Sequence, residues 1–139
     1  MLKGEVAFVR LEILNNRWAV CKLPETENIP LDETFLFVGK TDREISLVCD
    51  EWSVPRDVIA CEKGWRCFRV DGQMDFSVTG VIAGIAGHLA RHEIPLFVIS
   101  TYDTDYILVK EACFPRAVHV LGSAGYVFLP EQALCEPSE

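Results

Sequence analysis

The residues that could do chemistry in this chain cluster between Trp65 and Lys110. The turn DGQMDFS places Asp75, Phe76 and Ser77 just ahead of a segment rich in small residues, Gly80, Ala83, Gly84 and Gly87. Glycine inside a helix costs roughly 1 kcal/mol relative to alanine, so something must offset each one. Close approach to a sheet or a partner accounts for Gly84 and Gly87. Gly80 lies in the first turn, where main-chain N–H groups are still unpaired and the helix dipole favours an anion. The donors from Val78 to Gly80 therefore suit a carboxylate. Asp75 reads either as turn chemistry or as a counter-ion for an ammonium group. Phe76 reads as a core aromatic or as an apolar cover for a ligand.

A second polar cluster is Ser100-Thr101-Tyr102-Asp103-Thr104-Asp105, set between two apolar runs. A hairpin needs only a short loop, and Asn or Gly are its usual residues. Two carboxylates, hydroxyls and a phenol here make either a solvated acidic turn or a site for an amine or cation. Asp103 and Asp105 share a face in extended chain. His88 and His92 share one face of a helix, but a metal needs a third ligand and none stands in register, so no metal is expected. Among the six cysteines no CxxC pair occurs, and Cys21, Cys49 and Cys67 sit in apolar runs. They read as reduced structural thiols rather than a disulfide framework or a zinc site. GxSxG, Walker, HExxH and GxGxxG motifs are absent from the sequence. No enzyme activity and no cofactor are expected.

These side chains need a scaffold. Val6–Leu14 and Trp18–Leu23 read as strands joined by a turn at Asn15-Asn16. Residues 34–39 and 44–49 read as a hairpin across KTDR. In the second half, a strand over 65–70 leads to a helix over 78–92, N-capped by Ser77. Strands at 95–100 and 105–110, a helix over 111–122 and a strand over 126–129 follow. That is the βαββαβ, ferredoxin-like order. GKTDREIS and STYDTDYI repeat one pattern and hint at duplication. The expected architecture is α+β, two tandem units with antiparallel sheets and helices on one face. The units are 1–63, degenerate, and 64–130, with 131–139 a tail.

Bulk properties narrow the partners. The 139 residues are 50% hydrophobic and carry a net charge of -8. Half-apolar composition supports a packed core. A strongly acidic chain is a poor partner for nucleic acid or for an anionic membrane surface. Charged residues interrupt the first apolar run, so no signal peptide is read and the cytoplasm is the expected location.

The string VDGQMDFSVTGVIAGIAGHLARHEIPLFVISTYDTDYILVKE resembles the ACT domain superfamily, in the branch of small bacterial proteins related to the CASTOR arginine sensors. ISLVCDEWSVP, Ile45–Pro55, resembles that branch's first domain. The resemblance implies a tandem pair of ACT folds that binds a free amino acid for regulation, without catalysis. It implies ligand contacts from Asp75, Phe76, Ser77 and Gly80 in the turn and from Ser100, Thr101, Tyr102 and Asp105 in the hairpin. Leu96 would begin a strand facing a neighbouring domain. Arginine sensors carry an acidic residue where this chain has Val78, so arginine itself is not implied. A homodimer would recreate the sensors' four-domain arrangement and act on a regulated protein of unknown identity. The other reading is a protein–protein interaction module with a degenerate ligand site.

Overall fold

Every buried strand must find hydrogen-bond partners for its main chain, and the search for those partners decides this fold. The computed structural model describes residues 9–71 and 80–130. It contains β1 (Arg10–Leu23), β2 (Leu36–Lys40), β3 (Ile45–Asp50), β4 (Ala60–Val70), α1 (Val81–Arg91), β5 (Phe97–Ser100), β6 (Asp105–Lys110), α2 (Phe114–Ser123) and β7 (Val127–Pro130). Short 3-10 turns follow β3 at Glu51–Ser53 and β6 at Glu111–Cys113. The described residues divide into two compact units. One is Asn16–Arg66; the other joins Met1–Asn15 to Cys67–Glu139, as far as these are described.

In the unit of Cys67–Glu139, both helices cover one apolar core. Leu11, Phe68, Val70, Ile85, Leu89, Ile107, Val109, Phe114 and Leu121 pack together there. The strand order is β7-β1-β4-β6-β5. The closing strand β7 pairs in parallel with the start of β1, Arg10↔Val127 through Ile13↔Pro130. The fold is α+β, as the sequence predicts, but the simple ferredoxin-like order is modified. The first residues of β1 occupy the place that β7 would take beside β4. Leu11 supplies the reason, because it is fully buried in the same core and carries its strand with it.

Both helices end alike. Ile94 N–H donates to Leu89 O and Glu93 N–H to Ala90 O; Tyr126 N–H donates to Leu121 O and Gly125 N–H to Gly122 O. These paired bonds are Schellman motifs, which require a left-handed residue after the cap. Gly125 supplies it at φ 103°, whereas Glu93 does so at φ 59° with a full side chain.

The unit of Asn16–Arg66 has strand order β2-β3-β1-β4. Antiparallel ladders run Trp18↔Asp50 to Leu23↔Ile45 and Leu36↔Cys49 to Lys40↔Ile45. Where the other unit has helices, this one has residues 24–35 and the 3-10 turn. Its core is correspondingly small: Ala19, Cys21, Leu23, Leu47 and Cys49, flanked by Ile29, Leu36, Val54, Val58 and Cys61. Trp18 is buried beside Phe35 and Phe37, with ring centroids 5.3 and 5.9 Å away.

Three local expectations change. Asn15-Asn16 is no turn, because β1 runs straight through it. Its first part pairs with β7 and its second with β3, so the two parts have no reason to fold onto each other. The N-cap of α1 is Gly80, in the left-handed region at φ 81°, rather than Ser77. Glycine adopts that conformation without the backbone strain a side chain would bring. Glu111–Gly122 is a 3-10 turn and then a helix that starts at Phe114, with Pro115 tolerated in the first turn, where its missing N–H is not needed.

Candidate functional site

The two hairpins share one construction. In β5–β6, Ser100 pairs with Asp105 and Thr101 N–H donates to Thr104 O at 2.8 Å. The Thr101 hydroxyl donates to the same carbonyl at 3.0 Å and accepts from Thr104 N–H at 3.3 Å. In β2–β3, Thr41 N–H donates to Glu44 O at 2.9 Å, and the Thr41 hydroxyl again meets Glu44 O and N–H, at 3.5 and 3.2 Å. A threonine thus staples each loop, and the repeated pattern in the sequence is a repeated geometry.

Beside the β5–β6 loop lies a pocket of about 410 Å³ lined by Glu12, Arg69, Val70, Asp71, Thr101, Asp103, Thr104 and Tyr106. The Thr104 hydroxyl donates to Val70 O at 2.8 Å and ties the loop to the end of β4. Arg69 Nη2 and Nε donate to Glu12 Oε1 at 2.8 and 3.2 Å, and Nη1 donates to the Tyr106 hydroxyl at 3.3 Å. Its guanidinium also stands 5.6 Å from the Tyr106 ring centroid. Burial, the largest single influence, works against the Arg69 charge. The bonds to Tyr106 and Glu12, with the Glu12 charge, outweigh it and hold the proton above its usual strength. The one cation in the lining is thereby neutralised by the protein itself. Asp71 accepts from Arg10 Nε at 3.1 Å. Asp103 is exposed and has no side-chain partner among the described residues. Of the three carboxylates in the lining, Glu12 and Asp71 are thus paired with Arg69 and Arg10, and Asp103 carries the unanswered charge.

The predicted site residues fall into groups. Asp75, Phe76, Ser77 and Val78 lie outside the described residues. Gly80 caps α1, and no side chain among the described residues caps that N-terminus. Thr101 lines the pocket. Ser100 and Asp105 face each other across the hairpin, with the Ser100 hydroxyl donating to Asp105 Oδ1 at 2.5 Å. Tyr102 projects from the loop tip, 85% exposed. Leu96 packs against the core. A Cβ on Gly84 would meet the Tyr126 hydroxyl at 3.0 Å, so that glycine answers to internal packing. His88 and His92 are engaged locally: His88 Nδ1 with Arg91 at 3.1 Å and His92 Nδ1 with the His88 carbonyl at 3.0 Å. Cys67 is fully buried, and its thiol is pushed up by burial.

Sequence reasoning missed Glu12, Arg69 and Tyr106. Their signal is in the alternation. Each is a polar residue among apolar neighbours, in LEIL, CFRV or YILV, and Glu12 and Arg69 have opposite charge.

A family model described as "ACT domain" matches residues 60–123. A protein of Agobacterium tumefaciens solved by X-ray crystallography is 32% identical, covers 91% of this chain and 96% of its own, and superposes with a TM-score of 0.80. Residues 60–123 of the chain are an ACT domain. The ACT fold is also seen, at 14% identity and a TM-score of 0.59, in a structure of aspartokinase alpha and beta subunits, which covers 85% of this chain and 98% of that one. Among curated relatives, human cytosolic arginine sensor for mTORC1 subunit 1 is 32% identical over 110 residues, 74% of this chain and 32% of the relative. Its mouse counterpart is 35% identical over 95 residues, 63% of this chain and 28% of the relative. This ACT-domain chain spans about a third of the length of the curated relatives it matches. Among the described residues, no helix is long and apolar enough to cross a membrane.

Proposed function

We propose that this chain is a cytoplasmic regulatory module that binds a free amino acid and performs no catalysis. The observation that carries the reading is the pocket beside β4 and the β5–β6 loop. Its guanidinium is already paired to Glu12, and Asp71 and Asp103 stand at its mouth. Such a lining favours an ammonium group over an anion. The ACT domain at residues 60–123 and the likeness to proteins named arginine sensors support the amino-acid class. The α-carboxylate would take the main-chain donors of Val78 to Gly80, with Asp75, Phe76 and Ser77 completing that side. Ser100, Thr101, Tyr102 and Asp105 would frame the other. The strand that starts at about Leu96 would face a neighbouring domain, which a second copy would supply in a homodimer. Ligand ordering that interface would change how the dimer docks on a regulated protein.

Calorimetry of the full chain with every proteinogenic amino acid tests this. At least one should bind at or below millimolar concentration. Asp103→Asn should weaken it by about two- to fivefold, the range of an exposed charge pair. No heat from any of them at millimolar ligand would sink the reading, and a strictly monomeric sedimentation profile with ligand present would remove the homodimer.

The second reading, a protein-interaction module with a degenerate site, has its own support. The Ser100 and Thr101 hydroxyls are already bonded within the hairpin, the Thr104 hydroxyl is bonded to Val70 O on β4, and Trp52 is 94% exposed. Asp105→Ala separates the two. Loss of amino-acid affinity with partner docking unchanged favours the sensor; docking without any measurable ligand favours the module.

A further inference from the structure

Two thiols in the Asn16–Arg66 unit stand in unusual proximity. Cys21 on β1 and Cys61 on β4 place their sulfurs 3.3 Å apart. Both are free, Cys21 is 3% exposed, and Cys61 is half-buried with access to solvent. They belong to the same small core, which also holds Cys49. A buried cysteine usually serves as a small hydrophobe. That role accounts for Cys21 and Cys49. It does not account for a second thiol in contact with Cys21 at the edge of the core, reachable from outside.

We propose that Cys61 is an oxidation site at which a hydroperoxide initiates a Cys21–Cys61 disulfide. In the first step the Cys61 sulfur attacks the distal oxygen of the peroxide. An S–O bond forms, the O–O bond breaks, and the leaving alkoxide takes a proton to depart as the alcohol, or as water from hydrogen peroxide. Cys61 is then a sulfenic acid. In the second step the Cys21 sulfur attacks the Cys61 sulfur. The S–S bond forms, the S–O bond breaks, and hydroxide leaves with the Cys21 proton as water. The two thiols lose two electrons and two protons, and the peroxide gains them. The sulfurs must close from 3.3 Å to a bond of about 2.05 Å, a movement within reach of side-chain rotation.

The order of events follows from exposure and acidity. Burial, with the hydrogen bond to Cys61 adding to it, pushes the Cys21 thiol up to about 12. Near neutral pH only about one Cys21 in 10⁵ is thiolate, so it does not react with a dissolved oxidant. An oriented intramolecular nucleophile gains an effective concentration on the order of 10⁵ M or more, which offsets that fraction in the second step. Cys49 is fully buried, and its thiol is likewise raised, to about 11, by desolvation. It is therefore a spectator. The product joins β1 to β4 across the unit whose core is small and holds no helix among its described residues.

The test uses the full chain, fully reduced, exposed to stoichiometric hydrogen peroxide at neutral pH. Non-reducing intact mass should fall by about 2 Da, and peptide mapping should place the link between Cys21 and Cys61. Dithiothreitol should reverse it, and the oxidised protein should unfold at higher urea. Cys21→Ser should stop the reaction at a Cys61 sulfenic acid trapped by dimedone, and Cys61→Ser should abolish both products. The mapping of the unaltered chain decides the matter even where a variant fails to fold. A link through Cys49 instead, accumulation of sulfinic acid on Cys61 without a disulfide, or no reaction at Cys61 would each overturn the proposal.

Discussion

At the residue scale, charge is placed so that it is either answered or exposed. Arg69 and Glu12 sit among apolar neighbours on β4 and β1, and each makes the other tolerable: their side chains are 27% and 19% exposed and meet at 2.8 Å. Neither could be buried alone without a cost of several kcal/mol. Glu93 is the converse case, a residue whose backbone is strained while its side chain stands in solvent. Its φ of 59° completes the Schellman motif that ends α1. A side chain in that conformation costs about 1 kcal/mol, which glycine avoids. Glu93→Gly should therefore raise stability by roughly 0.5–1 kcal/mol in urea unfolding, the gain being reduced by the freer unfolded chain. No change, or a loss, would show that the Glu93 side chain contributes something the backbone argument omits.

At the element scale, the informative unit is the hairpin with its threonine staple. Thr41 and Thr101 share the same bonds to the residue three positions on, the Thr41 hydroxyl accepting also from Arg43 N–H, and each following strand leads into a 3-10 turn. The two hairpins and their shared loop pattern were legible in GKTDREIS and STYDTDYI, because a turn is decided by residues close in sequence; the threonine bonds and the 3-10 turns were not. Thr101→Val removes both hydroxyl bonds in a loop that is also tied to Val70 through Thr104. It should cost about 0.5–1.5 kcal/mol and loosen the wall of the pocket. Chemical denaturation gives the first number. Amide exchange at Thr104 gives the second, and unchanged protection there would mean that the Thr104–Val70 bond holds the loop by itself. The same local reasoning failed at Asn15-Asn16. A pair of asparagines resembles a turn, but β1 has different partners on either side of it. Which strands pair is settled by distant residues that no window contains.

At the scale of the whole molecule, the cysteines couple folding to pH. Burial, which disfavours thiolates, pushes the Cys21 and Cys49 thiols up to about 12 and about 11 from an ordinary value of 9.0. Groups with a raised folded value contribute their full stability below the unfolded value and lose it as pH climbs toward the folded one. Stability should thus hold level below about pH 9 on this account and fall between there and pH 11 to 12. Urea unfolding at pH 8 and pH 10.5 measures the fall, and Cys49→Ala should make it shallower. An identical slope in the variant would assign the alkaline loss to other groups.

The amino-acid order by itself determined the α+β class, the small-residue helix and the two hairpins with their shared loop pattern. All of these rest on residue type and short-range period, which are present before folding. Only the tertiary structure decided that β1 is one long strand, that β7 closes on its start, and that Glu12, Arg69 and Tyr106 meet beside Thr101 and Asp103. Those contacts join residues far apart in the chain. Their energies come from burial and from pairing opposite charges in space, which the linear order of the residues does not reveal.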